Sequence, residues 1–124
     1  MGERITLQLT EIIGSTLCVS ADDGEKVFQQ INQALQDGQE IRLSFLNVES
    51  LTSAFLNAAI GQLYGSYTPE QLRASLSVNE IDADDRVLLS RVIETAKLYF
   101  SKPQILDDAR KQALEEDPDE EYNV

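Results

Sequence analysis

The stretch from residue 41 to residue 64, IRLSFLNVESLTSAFLNAAIGQLY, constrains the fold more than any other part of the chain. Its first residues alternate apolar and polar side chains, which is the period-2 pattern of a buried strand. From Phe55 onward the apolar side chains recur at helical spacing, so a helix follows. The turn between them is rich in hydroxyl side chains, which cap helices well. The stretch therefore predicts a helix N-terminus that presents hydroxyl groups, where free N–H groups and the helix dipole suit an anion or a phosphoryl group.

The rest of the chain alternates short strands and helices. Residues 4–9 and 16–19 are predicted strands that form a hairpin around Gly14, and residues 40–45 form the strand that opens the 41–64 stretch. The other predicted elements are helices at 21–38 and 52–64, a short helix that begins at Thr68-Pro69-Glu70, a strand at 76–81, and a long helix from Asp82 or Asp84 that Pro103 closes or bends. This order predicts an α/β sandwich in which helices pack on a mixed sheet of about four strands.

The predicted core centres on the strand and helix of the 41–64 stretch. Five side chains are expected to be buried together: Leu43, Phe45, Phe55, Leu56 and Ile60. Phe45→Ala should accordingly cost roughly 3–5 kcal/mol. Cys18 is the single cysteine, which excludes an internal disulfide. Its apolar neighbours predict a small buried side chain rather than a nucleophile.

Charge is distributed unevenly along the chain. The net charge is −12, from 22 acidic and 10 basic residues, and residues 107–124 contribute half of it with eight acids and two bases. Such a chain repels phosphates, so direct nucleic-acid binding is not expected. We predict one domain over residues 1–103 and an acidic C-terminal helix and tail over residues 104–124. The tail either solubilises the protein or meets a basic surface of a partner.

Several classes of function are disfavoured by what the sequence lacks. It contains no histidine, the usual general base and commonest metal ligand, and no glycine-rich phosphate-binding motif. Asp82, Asp84 and Asp85 are explained as first-turn helix acids rather than as cation ligands. We therefore expect no cofactor, no metal and no catalysis; an enzyme would need an activity that depends on Ser53 or Asp82. No apolar run approaches the roughly 20 residues of a membrane span, and no signal peptide is visible, so a cytoplasmic protein is expected.

The polar side chains near the helix start are the candidate functional residues. As partner-binding or phosphoacceptor residues we single out Ser50, Thr52, Ser53, Asn57 and Tyr67. A purely structural explanation stays open, in which Ser50 or Thr52 caps the helix and Ser53 only lies in its first turn. Phosphate here would add about two negative charges where the helix dipole tolerates them. Asn57 either satisfies a loop carbonyl or faces a ligand, while Tyr67 is expected to be exposed.

The block FLNV-x-x-LTSAFLNAAIGQLY, together with the preceding IRLSF strand, resembles the STAS-like domain family of unknown function. That family resembles the anti-sigma-factor antagonists, whose STAS fold has a core sheet flanked by helices. The resemblance covers about residues 4–100 and is specific over residues 43–64. It implies a STAS-like fold and recognition of a protein partner through this loop and helix.

In anti-sigma-factor antagonists, a GHKL-type kinase phosphorylates a hydroxyl in the loop, and the modified protein releases its partner. On this chain the resemblance places Thr52 at the acid of the motif, Ser53 at its first hydroxyl and Ala54 at the usual phosphoacceptor. Phe55 replaces the glycine. These departures argue against a phospho-switch of the usual kind, and they leave Ser53 as a shifted phosphoacceptor. Recognition of a partner through the loop and helix does not need the missing residues, so the resemblance still implies a docking surface. The partner implied is a GHKL-type ATPase or kinase.

Two functions follow from these patterns. The first is a non-catalytic regulatory module of a bacterium or phage, which docks a protein partner through residues 47–57. The alternative is an acidic inhibitor or antitoxin-like protein that blocks a nucleic-acid-binding surface of its target. The salt dependence of partner affinity distinguishes the two functions. Dissolved salt screens exposed charges over about 8–10 Å, and only the acidic inhibitor depends on such charges for binding.

Overall fold

A computed structural model describes the backbone of residues 4–112 and the side chains of residues 4–101. The strands are β1 (Arg4–Gln8), β2 (Leu17–Cys18), β3 (Glu40–Ser44), β4 (Ser50–Leu51) and β5 (Leu76–Asn79). The helices are α1 (Leu9–Ile13), α2 (Ala21–Gln36), α3 (Ser53–Ala59), α4 (Pro69–Ser75) and α5 (Ala83–Gln112), and a 3₁₀ helix (Gly61–Gly65) follows α3. The predicted α/β class is confirmed.

The strands lie in two parallel sheets, one with the order β1-β3-β5 and the other formed by β2 and β4. The predicted mixed sheet of about four strands is therefore wrong. The predicted hairpin of residues 4–19 is also wrong, because α1 separates β1 from β2 and β2 pairs with β4 instead. Parallel neighbours need crossover connections, which the helices between β1, β3 and β5 provide.

The two faces of the three-stranded sheet differ in polarity. On one face the register aligns Ile5, Ile41 and Leu76 in one row and Leu7, Leu43 and Val78 in another. Because side chains alternate across a strand, the opposite face carries the rows Thr6, Arg42, Ser77 and Gln8, Ser44, Asn79. The apolar face joins a core to which α2, α3 and α5 contribute.

The predicted core is confirmed. Leu43, Phe45, Phe55, Leu56 and Ile60 are all buried and belong to one apolar cluster. Cys18, also predicted to be buried, is in the same cluster.

Several helix boundaries follow local sequence signals. Thr68 forms a capping box with Gln71, and Pro69 opens α4, as predicted. Gly38 follows α2 with a φ of 78°, a left-handed conformation that glycine adopts without steric cost. The helix predicted over 52–64 is shorter, because Ile60 has a φ of −121° and the chain continues as a 3₁₀ helix to Gly65.

The long C-terminal helix does not close at Pro103, since α5 continues to Gln112. The first part of the helix predicted within residues 104–124 is therefore continuous with α5. The predicted domain boundary at residue 103 falls inside this helix and stays a prediction. The rest of the predicted acidic helix and tail, beyond residue 112, lies outside the described residues. Within the described part of the chain, no helix is long and apolar enough to cross a membrane.

Candidate functional site

Thr52 connects the start of α3 to β2. Its hydroxyl accepts a hydrogen bond from the backbone N–H of Phe55 at 3.2 Å, which makes it the N-cap of α3. The same hydroxyl donates to the carbonyl oxygen of Val19 at 2.7 Å. Its backbone N–H donates to the carbonyl oxygen of Cys18, extending the β2–β4 pairing by one residue. Of the two capping candidates, Thr52 is therefore the cap, and its hydroxyl is already used inside the fold.

Ser50, Ser53 and Asn57 are exposed. None of the three has a side-chain hydrogen bond to any residue that the structure describes. Ser53 is the first residue of α3, and Asn57 follows four positions later, so the two side chains lie on the same helix face. Ala54, in the first turn, is also exposed. These polar side chains are available to a partner, whereas that of Thr52 is not.

Two aliphatic side chains of the neighbouring strand extend this polar surface. Leu17 and Val19 keep 47% and 39% of their surface exposed. Leu17 is the register partner of Ser50, and the Val19 carbonyl receives the Thr52 hydroxyl, so both lie beside the start of α3. We call the surface formed by Leu17, Val19, Ser50, Ser53 and Asn57 the docking face. It combines apolar and hydrogen-bonding groups.

Tyr67 does not belong to the docking face, and its expected exposure is wrong. It is half-buried, packs against the core, and its phenol donates to the Asn32 side-chain oxygen at 2.6 Å. The polar sequence around Tyr67 predicted a solvent-facing connector. In the folded chain this connector turns back toward α2, where Asn32 provides the acceptor that a buried phenol needs.

The loop before α3 contains an element that the polar composition concealed. Ser50 and Leu51 form β4, and the N–H of Glu49 donates to the Thr16 carbonyl at 2.8 Å. Asn47 adopts a φ of 68°, which asparagine tolerates better than most residues.

The exposure of Leu17 and Val19 was not predicted from the sequence. Their alternation with Cys18 was the available signal, since a strand that buries Cys18 turns its two neighbours outward.

Acidic side chains lie near the buried thiol of Cys18. Burial, together with the nearby carboxylates of Asp23 and Asp85, raises the pKa of Cys18 to about 11. The thiol therefore stays protonated near neutral pH and is a poor nucleophile. Burial also raises the pKa of Asp85, with added repulsion from Asp82 and Asp84. Among the described residues, no group of three or more His, Cys, Asp or Glu side chains is placed to hold a metal ion.

Comparison with known proteins identifies the family. The family described as STAS-like domain of unknown function matches residues 23–86, which is more than half of the 124-residue chain. The chain belongs to this family. The matched region includes β3, β4 and α3, and hence Ser50, Ser53 and Asn57, whereas Leu17 and Val19 lie outside it. No curated protein and no solved structure matches the chain significantly.

Proposed function

We propose that this STAS-like chain is a non-catalytic, cytoplasmic regulatory module that docks a protein partner through the docking face. The observation that carries the proposal is the exposure of two aliphatic side chains of β2, Leu17 and Val19. Leu17 is paired in register with Ser50, and the Val19 carbonyl is bonded to Thr52, the residue before Ser53. The hydroxyls of Ser50 and Ser53 have no hydrogen-bond partner among the described residues. Protein interfaces combine such apolar contacts with hydrogen bonds in one patch. Exposed residues of this kind have no evident role in holding the fold together.

The fold holds the docking face in place. Thr52 fixes the start of α3 against β2, and α3 packs closely on α2. A surface that is already ordered loses little conformational entropy when a partner binds, which favours recognition. The loop and helix start thus provide a preformed platform.

Docking rather than phosphorylation is the proposed mode of action. Ala54 is exposed but has no hydroxyl group to phosphorylate, and Thr52 is committed to the cap and to Val19. Ser53 is exposed and is the one hydroxyl in the first turn of α3. A charged group on Ser53 would project from the docking face and would disrupt an apolar contact there.

A GHKL-type ATPase or kinase is the partner class to test first, on the strength of the resemblance to anti-sigma-factor antagonists. The net charge of −12 favours a partner with basic groups around its contact surface. We expect such rim charges to affect the association rate more than the final affinity.

The experiment is a comparative affinity purification from the native host, followed by binding measurements with the purified partner. The baits are the wild-type protein, Ser53→Glu and Val19→Asp, with Ser66→Glu as the control. Ser66 is exposed and follows the 3₁₀ helix, so this control adds the same charge outside the docking face. We expect the wild-type protein and Ser66→Glu to retain the same partner. The affinity of Ser53→Glu and of Val19→Asp for that partner should be at least tenfold lower.

A truncated chain that ends at Gln112 distinguishes the docking function from the alternative, the acidic inhibitor. If that truncation abolishes binding while Ser53→Glu and Val19→Asp leave it intact, the acidic-inhibitor function replaces the docking proposal. The affinity of such an inhibitor should also fall steeply as salt concentration rises. A partner that binds all variants equally would contradict both functions.

A further inference from the structure

A second site lies at the other end of α3. A pocket of about 420 Å³ opens between α4, β5 and the first half of α5. Its floor is apolar: Leu72, Leu89 and Ile93 line it and are buried, and Ile60, at the end of α3, closes one side. This volume falls within the range of small-molecule sites, which are mostly apolar with a few polar groups.

The charged side chains that line the pocket are cationic. Arg73, Arg86 and Lys97 line it, and among the described residues none of those that line it is acidic. This is unexpected in a chain with 22 acidic and 10 basic residues. Neither Arg73 nor Arg86 forms a salt bridge with any carboxylate that the structure describes.

Helical spacing explains how α5 builds one wall. Arg86, Leu89, Ser90, Ile93 and Lys97 recur at intervals of three or four residues, so they share one face of the helix. That face places apolar side chains between two cations. Arg73 reaches the pocket from α4, on the opposite wall.

The pKa shifts agree with a concentrated positive charge. Burial lowers the pKa of Lys97, and so does the neighbouring Arg73, while Glu94 and Glu70 partly offset both effects. Burial raises the pKa of Tyr64, which also lines the pocket, and Arg73 acts in the opposite direction. Arg73 therefore influences both side chains across the pocket that all three line.

We propose that this pocket binds a small amphipathic anion, a molecule with an apolar or aromatic body and one carboxylate or phosphate group. The body would occupy the floor formed by Leu72, Leu89 and Ile93. The acidic group would meet Arg73 and Arg86, whose planar guanidinium groups suit carboxylate and phosphate oxygens.

The acidic end of the chain fits this pocket less well than a small amphipathic anion. Residues 115–121 consist of six acids and Pro118, so this run carries twice as many charges as the three cations of the lining, and its apolar neighbours Leu114 and Tyr122 stand at opposite ends of it. A small amphipathic anion contacts the apolar floor and the cationic side chains of the pocket at the same time.

The test uses the full 124-residue protein labelled with ¹⁵N, titrated separately with 2-naphthoate, 2-naphthyl phosphate and the neutral match 2-naphthamide. We expect saturable shifts of amide signals in residues 69–78 and 86–97, with at least one anion binding about tenfold or more tightly than the amide. Arg73→Gln and Arg86→Gln should each lower the affinity for that anion about tenfold, because a charge-assisted hydrogen bond is lost.

Arg91→Gln is the matched control, since Arg91 lies on the same helix outside the pocket and should leave binding unchanged. Arg73→Lys keeps the charge but loses the planar guanidinium group, so it should weaken binding less than Arg73→Gln does. The dispersion of amide signals verifies that each variant is folded. Absence of saturable shifts with both anions, equal binding of the amide, or insensitivity to both arginine variants would overturn the proposal. So would displacement of the bound anion by a peptide of residues 113–124 at lower concentrations than the anion itself requires.

Discussion

At the scale of single residues, Thr52 shows how a hydroxyl that reads as a modification site is used by the fold. Its oxygen accepts from Phe55 and donates to Val19, so one side chain both starts α3 and joins it to β2. Ser53, the next residue, has the same chemistry but no such bonds within the described part of the chain. Two adjacent hydroxyls therefore have different roles: the first holds the docking face in place, and the second is part of it.

Replacing Thr52 should destabilise the protein, and replacing Ser53 should not. Thr52→Ala removes the cap and the bond to Val19, so we expect a loss of about 1–2 kcal/mol in the free energy of unfolding. Thr52→Ser should retain most of it, and Ser53→Ala should change it by less than about 0.5 kcal/mol. Urea unfolding followed by circular dichroism measures all three. Equal losses for Thr52→Ala and Ser53→Ala would contradict the assigned roles.

Asp85 should make stability depend on pH in the mildly acidic range. Burial, with added repulsion from Asp82 and Asp84, raises its pKa above the ordinary value of an aspartate. The folded state therefore binds more protons than the unfolded state in the window just above that value, and stability falls as pH rises through it. Unfolding measured at intervals between neutral pH and about pH 4 should give a flatter profile for Asp85→Asn than for the wild type, whereas parallel profiles would contradict this.

At the scale of elements, the contact between α2 and α3 depends on the absence of a side chain. A Cβ at Gly24 would clash with the carbonyl oxygen of Phe55 and would lie 2.8 Å from the Cβ of Ala58. Both partners belong to the packed body of α3, so the helices would have to separate. The close approach lets α2 support α3 over much of its length.

Gly24→Ala should therefore destabilise the protein, although alanine usually favours helices over glycine by up to about 1 kcal/mol. We expect a loss of about 1–3 kcal/mol from overpacking. Gln30→Ala, at an exposed position of the same helix, is the control and should change stability by less than about 0.5 kcal/mol. A stabilising Gly24→Ala would show that the two helices are not in close contact.

The end of β3 offers a matched pair of adjacent residues. Phe45 is 3% exposed, whereas Leu46 is 44% exposed. Phe45→Ala should cost roughly 3–5 kcal/mol because it leaves a cavity in the core. Leu46→Ala should cost less, about 1 kcal/mol, since nearly half of the Leu46 surface stays in contact with water in the folded protein. Chemical denaturation of both variants gives the comparison, and similar losses would contradict the described end of the strand.

At the scale of the whole molecule, charge is the dominant feature. The chain carries a net charge of −12, yet three of its cations converge on one pocket. Acidic side chains occupy the first turns of α2 and α5, and Asp85 directly precedes Arg86, which lines the pocket. The chain thus combines a large net negative charge with a pocket whose charged lining, among the described residues, is cationic.

Salt should stabilise the protein as a whole. Repulsion among its excess carboxylates opposes folding, and screening over about 8 Å at physiological ionic strength relieves it. We expect the melting temperature at pH 7 to rise between low salt and about 0.3 M NaCl. The same series near pH 4.2, the isoelectric point of the sequence, is the control and should show a smaller shift. A melting temperature that falls with salt at pH 7 would contradict this balance of charges.

The sequence by itself determined the local features. The alternation in residues 41–45, the capping signal at Thr68 and the apolar stripe of residues 55–60 each depend on neighbours a few positions away, and each was predicted correctly. Within the candidate site, Ser53 and Asn57 were placed on the start of α3 from their spacing alone.

Only the tertiary structure decided how these elements combine. The parallel pairing of β2 with β4, the burial of Tyr67 against Asn32 and the convergence of Arg73 and Arg86 join residues that are distant in sequence. Local propensity specifies a strand or a helix but not its neighbour, because pairing and burial are set by packing across the whole chain. For the same reason the exposure of Leu17 and Val19, and with it the docking face, is a property of the fold.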